Sequence, residues 1–177
     1  MNTEQFKAVL GLHPTSRGMG WILATSPVDL IDFGVIRARG DVNLKCLTRF
    51  TEIVDLFSPA VIVLRDMGGE RIERVERIKT LVSAMVRTAK LRNVEVKLFR
   101  ESEVKKHFER FGKKTRDDII AFLADNIDAL ASRRPPKRQT WMPSDARVAL
   151  FDATALMVAF FIERDLLDHP FPEAQAA

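Results

Sequence analysis

Asp152 is the residue of this 177-residue chain least in keeping with its neighbours. It lies inside VALFDATALMVAFF, a stretch otherwise without charge. An unpaired buried carboxylate costs several kcal/mol, so this one must be paired with a cation, bound to a metal or protonated. Asp145 lies seven residues earlier, two helical turns away and near the same face of a helix. The second chemical feature is clustered positive charge. Residues 100–116 hold seven Lys/Arg against three Glu, among them Lys105, Lys106, Arg110, Lys113, Lys114 and Arg116. Residues 133–138 add Arg133, Arg134, Lys137 and Arg138 with no acid. Each segment is net +4, as is the whole chain, so the remainder is net −4. Charge concentrated in this way is what a polyanion such as nucleic acid reads, and a solvated basic surface is the plain alternative. Phe108, Phe111 and Trp141 lie within or beside these runs. Aromatics there can stack on unpaired bases, but half-buried core roles are expected for all three. His107 and His169 have no partners at ligand-like spacing. Glu70, Glu73 and Glu76 read as a solvated helix start, and Cys46 as packing on an apolar helix face. PTSRGMG (14–20) is too irregular for a phosphate loop, although Ser16 and Arg17 within it can touch a phosphate.

The elements that must position these groups follow from hydrophobic period. Residues 7–13, 20–25 and 28–37 are short apolar runs rich in branched and aromatic residues and separated by Gly and Pro, which predicts three consecutive strands. Residues 41–57 change to three- and four-residue steps and read as an amphipathic helix, capped by Asp41 or Asn43. AVIVL (60–64) reads as a strand buried on both faces. The longest helix is expected over 70–92, with acids in its first turns and bases in its last, complementing the helix dipole. A strand follows at 94–99, then helices at 102–108 and 116–131, a linker-like loop at 133–143, and a very apolar helix over 144–167 starting at Ser144 or Asp145. The order βββ-α-β-α-β-α-α predicts a mixed sheet covered by helices. One domain over 1–167 is expected, with 168–177 a loose tail. The lone cysteine excludes an internal disulfide, and no apolar run reaches the roughly 18–20 residues of a membrane span. Neither signal peptide nor anchor is read, so a cytoplasmic protein without membrane contact is expected.

That order, together with several stretches, resembles the RNase H-like superfamily and in particular RuvC-type Holliday junction resolvases. VLGLHPTSRGMGW resembles the family's first strand and turn, and VDLIDFGVIRARG its third strand. SPAVIVLRD resembles the fourth strand, FRESEVKKHFERFGKKTRDDII the segment after strand five, and FDATALMVAFF the last helix. The likeness runs over about residues 8–162. It implies an α/β fold with a mixed five-stranded sheet, three antiparallel strands then two parallel, flanked by helices. It also implies phosphodiester hydrolysis by two divalent ions about 4 Å apart, which need several carboxylate oxygens.

Carried over by position, the resemblance places His13 where the family has a first-strand Asp, and Arg65, beside Asp66, where it has a Glu. A second acid of the last helix is Ala149, and only Asp152 is retained. The implied site is therefore degenerate: His13, Asp66 and Asp152, with Arg65 and Asp145 nearby. Arg65 or a protonated His13 is expected to stand in for the metals and neutralise Asp152. No cofactor is then expected. If catalysis persists, one Mg or Mn ion on Asp152, His13 and Asp66 is the expected form, imidazole being acceptable to Mn. Asp66 reaches the site only through a bulge, since a one-residue slip turns it to the other sheet face. The leading expectation is a nucleic-acid-binding protein for DNA or branched DNA with lost or weakened nuclease chemistry, a pseudoenzyme of DNA recombination. An active metal-dependent structure-selective endonuclease is the second reading, and a structural or protein-interaction domain the third. A two-fold homodimer suits a branched substrate, and the apolar face of helix 70–92 is a candidate contact.

Overall fold

A computed structural model describes residues 7–68, 73–165 and 170–171. The three opening strands are β1 (Val9–Thr15), β2 (Gly18–Ala24) and β3 (Leu30–Arg37). Then come α1 (Val42–Phe57), β4 (Val61–Arg65), α2 (Glu73–Leu91) and β5 (Glu95–Phe99). The chain continues through α3 (Glu101–Glu109), α4 (Arg116–Asn126), α5 (Asp128–Ala131) and α6 (Arg147–Asp165). The sheet order is β3-β2-β1-β4-β5. β1, β2 and β3 pair antiparallel, whereas β4 lies parallel to both β1 and β5. This is the mixed five-stranded sheet that the element order predicted.

Local features depart from or refine the expected elements. PTSRGMG is mostly strand: Thr15 pairs with Gly18, leaving Ser16 and Arg17 as a two-residue hairpin turn. Pro14 is tolerated because pairing of β1 with β4 stops at Leu12, so its missing N–H opens no gap on that side. The helix expected over 116–131 breaks at Ile127, whose extended backbone (φ −121°, ψ 97°) separates α4 from α5. Asp41, not Asn43, caps α1 by accepting the Leu44 N–H at 2.9 Å. Of the segment expected as a loose tail, Pro170 and Phe171 are buried, and Phe171 meets Phe122 edge-on with ring centroids 5.4 Å apart. Residues 70–72, at the expected start of the long helix, lie outside the described residues.

Strand alternation divides the core. Leu10, Leu12, Ile62 and Leu64 face α1 and α2 with Phe50, Ile53, Leu81 and Met85. Val9, Val61, Val63 and Ile22 face α3, α4 and α6 with Phe108, Leu123, Phe151 and Met157. The apolar side of α2 is thus packed in the domain's own core. Among the described residues no helix is long and apolar enough to cross a membrane.

α6 lies against β1 and β2 at unusually close range. A Cβ on Gly11 would sit 2.5 Å from the Ala153 carbonyl oxygen, and one on Gly20 would overlap the Ala149 backbone. Both clashes are with main chain, which cannot rotate away. The two glycines therefore set how near Asp152 comes to the sheet. Gly20→Ala is expected to destabilise the fold by about 2–3 kcal/mol, the upper range for overpacking a tight core. The midpoint of urea unfolding measures this, and an unchanged midpoint contradicts the close contact.

Candidate functional site

Val9, Gly11 and His13 share one face of β1, and Val61, Val63 and Arg65 share the matching face of β4. His13 and Arg65 therefore emerge at the C-terminal ends of two neighbouring strands, beneath α6. The β4–β5 register sets Arg65 opposite Phe99. The chain turns directly into α3, and Glu101 accepts a hydrogen bond from Arg65 Nη2 at 2.9 Å. Lys105, one turn along α3, meets the same Glu101 at 2.8 Å. From the other side comes Arg116, the first residue of α4. The preceding Thr115 caps that helix in a reciprocal box with Asp118. A cation at a helix N-terminus is opposed by the dipole and needs nearby negative charge.

That charge is Asp152. Arg116 Nε donates to Asp152 Oδ1 at 3.0 Å, and Nη2 donates to Oδ2, a two-point guanidinium–carboxylate clamp. His13 Nε2 stands 3.4 Å from Asp152 Oδ2. The side chains of His13 and Asp152 are only 13% and 17% exposed. A small cavity of about 140 Å³ joins these groups, its polar side made by His13, Arg65, Glu101, Lys105, Arg116 and Asp152. Its apolar side includes Val104, Ile119, Phe151 and Leu156.

The electrostatics are one-sided. Burial pushes the His13 pKa below its ordinary value; Asp152 pulls it up, while Arg116 and Arg65 add to the lowering. The imidazole is accordingly neutral at neutral pH. Burial alone would lower the Arg116 pKa, but the hydrogen bond and charge of Asp152 outweigh it and hold it above the ordinary guanidinium value. The hydrogen bond from Lys105, helped by Arg65, holds the Glu101 carboxyl below its ordinary value. With His13 neutral, the cavity carries three cations against two carboxylates.

The residues expected at the site separate into two groups. His13 and Asp152 meet, and Arg65 lines the same cavity, where it bonds Glu101. Asp66 is elsewhere: its carboxylate accepts the Gly68 N–H at 2.8 Å and lies 3.7 Å from Arg100. Asp145 precedes α6 instead of riding on it, and is held by Arg147 Nη2 at 2.7 Å. The expected three-residue set of His13, Asp66 and Asp152 is therefore not assembled. Sequence reasoning missed Glu101 as a site residue and placed Lys105 and Arg116 only among nucleic-acid contacts. The one available signal was Arg116 at the first position of a capped helix, where a base is electrostatically out of place.

The remaining basic residues are spread around this centre. Lys106, Arg110 and Lys114 are exposed. Lys113 lies over the Phe122 ring, and Arg133 over the Phe33 ring. Arg134, Lys137 and Arg138 join Arg116 in lining a cleft of about 530 Å³ between α4 and the loop before α6. Phe108 is fully buried, and Phe111 stacks on Phe122 with centroids 5.5 Å apart, as core roles require. Trp141 departs from that expectation and is 76% exposed. Among the other sequence candidates, Cys46 is buried, Ser16 and Arg17 are exposed turn residues, and His107 Nε2 lies 3.7 Å from Glu163. Glu76 is exposed, while Glu70, the side chain of Glu73 and His169 lie outside the described residues.

A Thermus thermophilus RuvC in complex with a Holliday junction substrate superposes with a TM-score of 0.66 at 17% identity, over 90% of this chain and 96% of that one. The fold is that of RuvC. A second Thermus thermophilus RuvC structure gives a TM-score of 0.66 at 16% identity, over 89% of this chain and 96% of that one. The yeast mitochondrial Holliday junction resolvase gives 0.57 at 18% identity, over 91% of this chain and 83% of that one. No protein-family model matches the chain, and no curated protein matches it in sequence.

The pair of divalent ions that the sequence resemblance implies needs several free carboxylate oxygens. The donor set at this cavity does not fit such a pair. Asp152 is already clamped by Arg116, and Glu101 is held by Arg65 and Lys105. Among the described residues no group of three or more His, Cys, Asp or Glu is placed to hold a metal ion. Hard cations need several oxygen ligands and are repelled by the surplus positive charge.

Two outcomes follow for stability. His13 has a folded pKa below its unfolded value of 6.5. The unfolded chain therefore takes up the proton first, and stability is complete above that value and falls as pH drops through it. His107, also lowered by burial, adds to the same slope. In His13→Asn the loss of urea stability between pH 7.5 and 5 is expected to be shallower than in the parent, and an unaltered slope contradicts a buried neutral imidazole. A double-mutant cycle with Arg116→Ala and Asp152→Ala is expected to give a coupling of about 1 kcal/mol, modest because Arg116 is half-exposed and screened. Additive effects would contradict the clamp.

Proposed function

We propose that this chain binds branched DNA through its RuvC-type fold and that its two-metal nuclease chemistry is lost or weakened. The observation that carries the proposal is the Arg116 clamp on Asp152: protein-borne positive charge stands at the acid where the resembling enzymes place metal. The same excess of cations favours phosphate. Lys105 and Arg116 in the cavity, with Arg134, Lys137 and Arg138 in the adjoining cleft, make a predominantly basic surface beside α4. Such groups neutralise phosphates and release counterions, so the binding is salt-sensitive and reads shape more than sequence. The homodimer belonging to this reading uses the outer sides of α1 and α2, where Leu44, Leu56 and Leu91 are exposed.

The test is retention of a synthetic four-way junction and of a linear duplex in gel-shift assays at graded salt, with Mg²⁺ or Mn²⁺ present and the DNA examined for cuts. The expected result is salt-dependent binding of uncut junction. Replacing the exposed Lys114, Lys137 and Arg138 by Glu should weaken binding at least ten-fold at low salt. Metal-dependent cuts that disappear in Asp152→Asn establish the active-endonuclease reading instead. No retention at low salt favours a structural or protein-interaction domain.

A further inference from the structure

We infer that the loop between α5 and α6 is a strand-separating ridge, and that Trp141 stacks on an unpaired base at a branch point while basic clefts on its two sides take the diverging strands. The inference rests on the nucleic-acid reading above and names the feature that this surface selects.

The ridge is defined by residues that diverge to either side. Arg134 lines the cleft against α4, together with Lys137 and Arg138. Its neighbour Arg133 lines a second cleft of about 350 Å³, against β3, together with Arg37 and Arg147. The start of α6 divides in the same way, Val148 facing the first cleft and Arg147 and Leu150 the second. The first cleft also contains Asp117 and Asp118, but Asp118 is engaged in the Thr115 cap. The lining of the second contains no acid, but Asp145 beside it holds Arg147, which leaves Arg37 and Arg133 as its other bases.

Trp141 sits on this ridge at the tip of a short turn. The Met142 N–H bonds the Gln139 carbonyl at 3.0 Å, and Arg138 Nε donates to the Met142 carbonyl at 3.0 Å. The indole N–H is occupied by Gln139 Oε1 at 3.2 Å, which leaves the ring faces as the free surface. A large ring held out into water next to Gln139 and Thr140 of the first cationic cleft has the makeup of a base-stacking platform. A continuous duplex offers only stacked bases, whereas a branch point offers an open face and two strands leaving in different directions.

The chain has two tryptophans, and Trp21 is 4% exposed, so a change in emission on binding reports Trp141. The probes are a forked DNA with two single-stranded arms and a fully paired duplex of equal length. The fork is expected to quench Trp141 emission and the duplex to leave it unchanged. Trp141→Ala should weaken fork binding by about ten-fold, in line with the loss of one base–aromatic stack. Its duplex affinity should stay within about two-fold, and Trp141→Phe should keep most of the preference. Equal loss on both DNAs, or no loss on either, overturns the ridge while leaving DNA binding in place. If the parent protein retains neither DNA, the reading of DNA binding fails and the ridge fails with it. An unchanged thermal midpoint in Trp141→Ala confirms that the variant is folded.

Discussion

A carboxylate inside an apolar helix has to be neutralised, and the arrangement around Asp152 follows from that requirement. Its side chain is largely shielded, so water alone cannot stabilise the charge. Arg116 supplies the countercharge in the geometry that suits a guanidinium best, two parallel hydrogen bonds. The clamp in turn stabilises a base at the start of α4, where the helix dipole opposes it. One interaction thus resolves two local electrostatic conflicts, and it ties α4 to α6 across the end of the sheet. His13 contributes shape and a polar contact and, being held neutral by burial, no charge.

The pairing depends on how close α6 comes to the strands. Gly11 and Gly20 bring β1 and β2 against the backbone of Ala153 and Ala149. Asp152 lies between those two helix positions, directly above the ends of β1 and β4. The parallel β4–β5 pair then delivers Glu101 beside Arg65, which bonds it at 2.9 Å. The result is two adjacent ion pairs, with Lys105 as the surplus cation beside Glu101. Two magnesium ions would need the opposite balance, with carboxylates in excess and cations kept away.

Outside the cavity basic residues continue, interspersed with Asp117 and Asp118. Arg116 lines both the small cavity and the larger cleft beside it, and the loop before α6 separates that cleft from a second basic one. Positive surface therefore extends along both sides of the segment that leads into the Asp152 helix. The chain thus shares the fold of RuvC, carries basic residues around the end of its sheet, and holds both cavity carboxylates in contact with cations.

Much of the fold was legible in the chain because its signals are local. Period-two runs, the change of period at residue 41, and the Gly and Pro between runs each act within a few residues. They mark strands and helices whatever the remainder of the chain does. The solitary Asp152 was equally plain, because a charge among apolar neighbours stands out in any order of elements. Its partner was not legible. Arg65 and Arg116 are both bases in basic or strand-end contexts, and the choice between them depends on which carboxylate each one reaches. That was decided by strand register, which gave Glu101 to Arg65, and by the close seat of α6, which presented Asp152 to the first turn of α4. Trp141 shows the same limit: its neighbours in sequence say that it is beside a basic run, but only the folded loop decides that its ring faces water instead of the core.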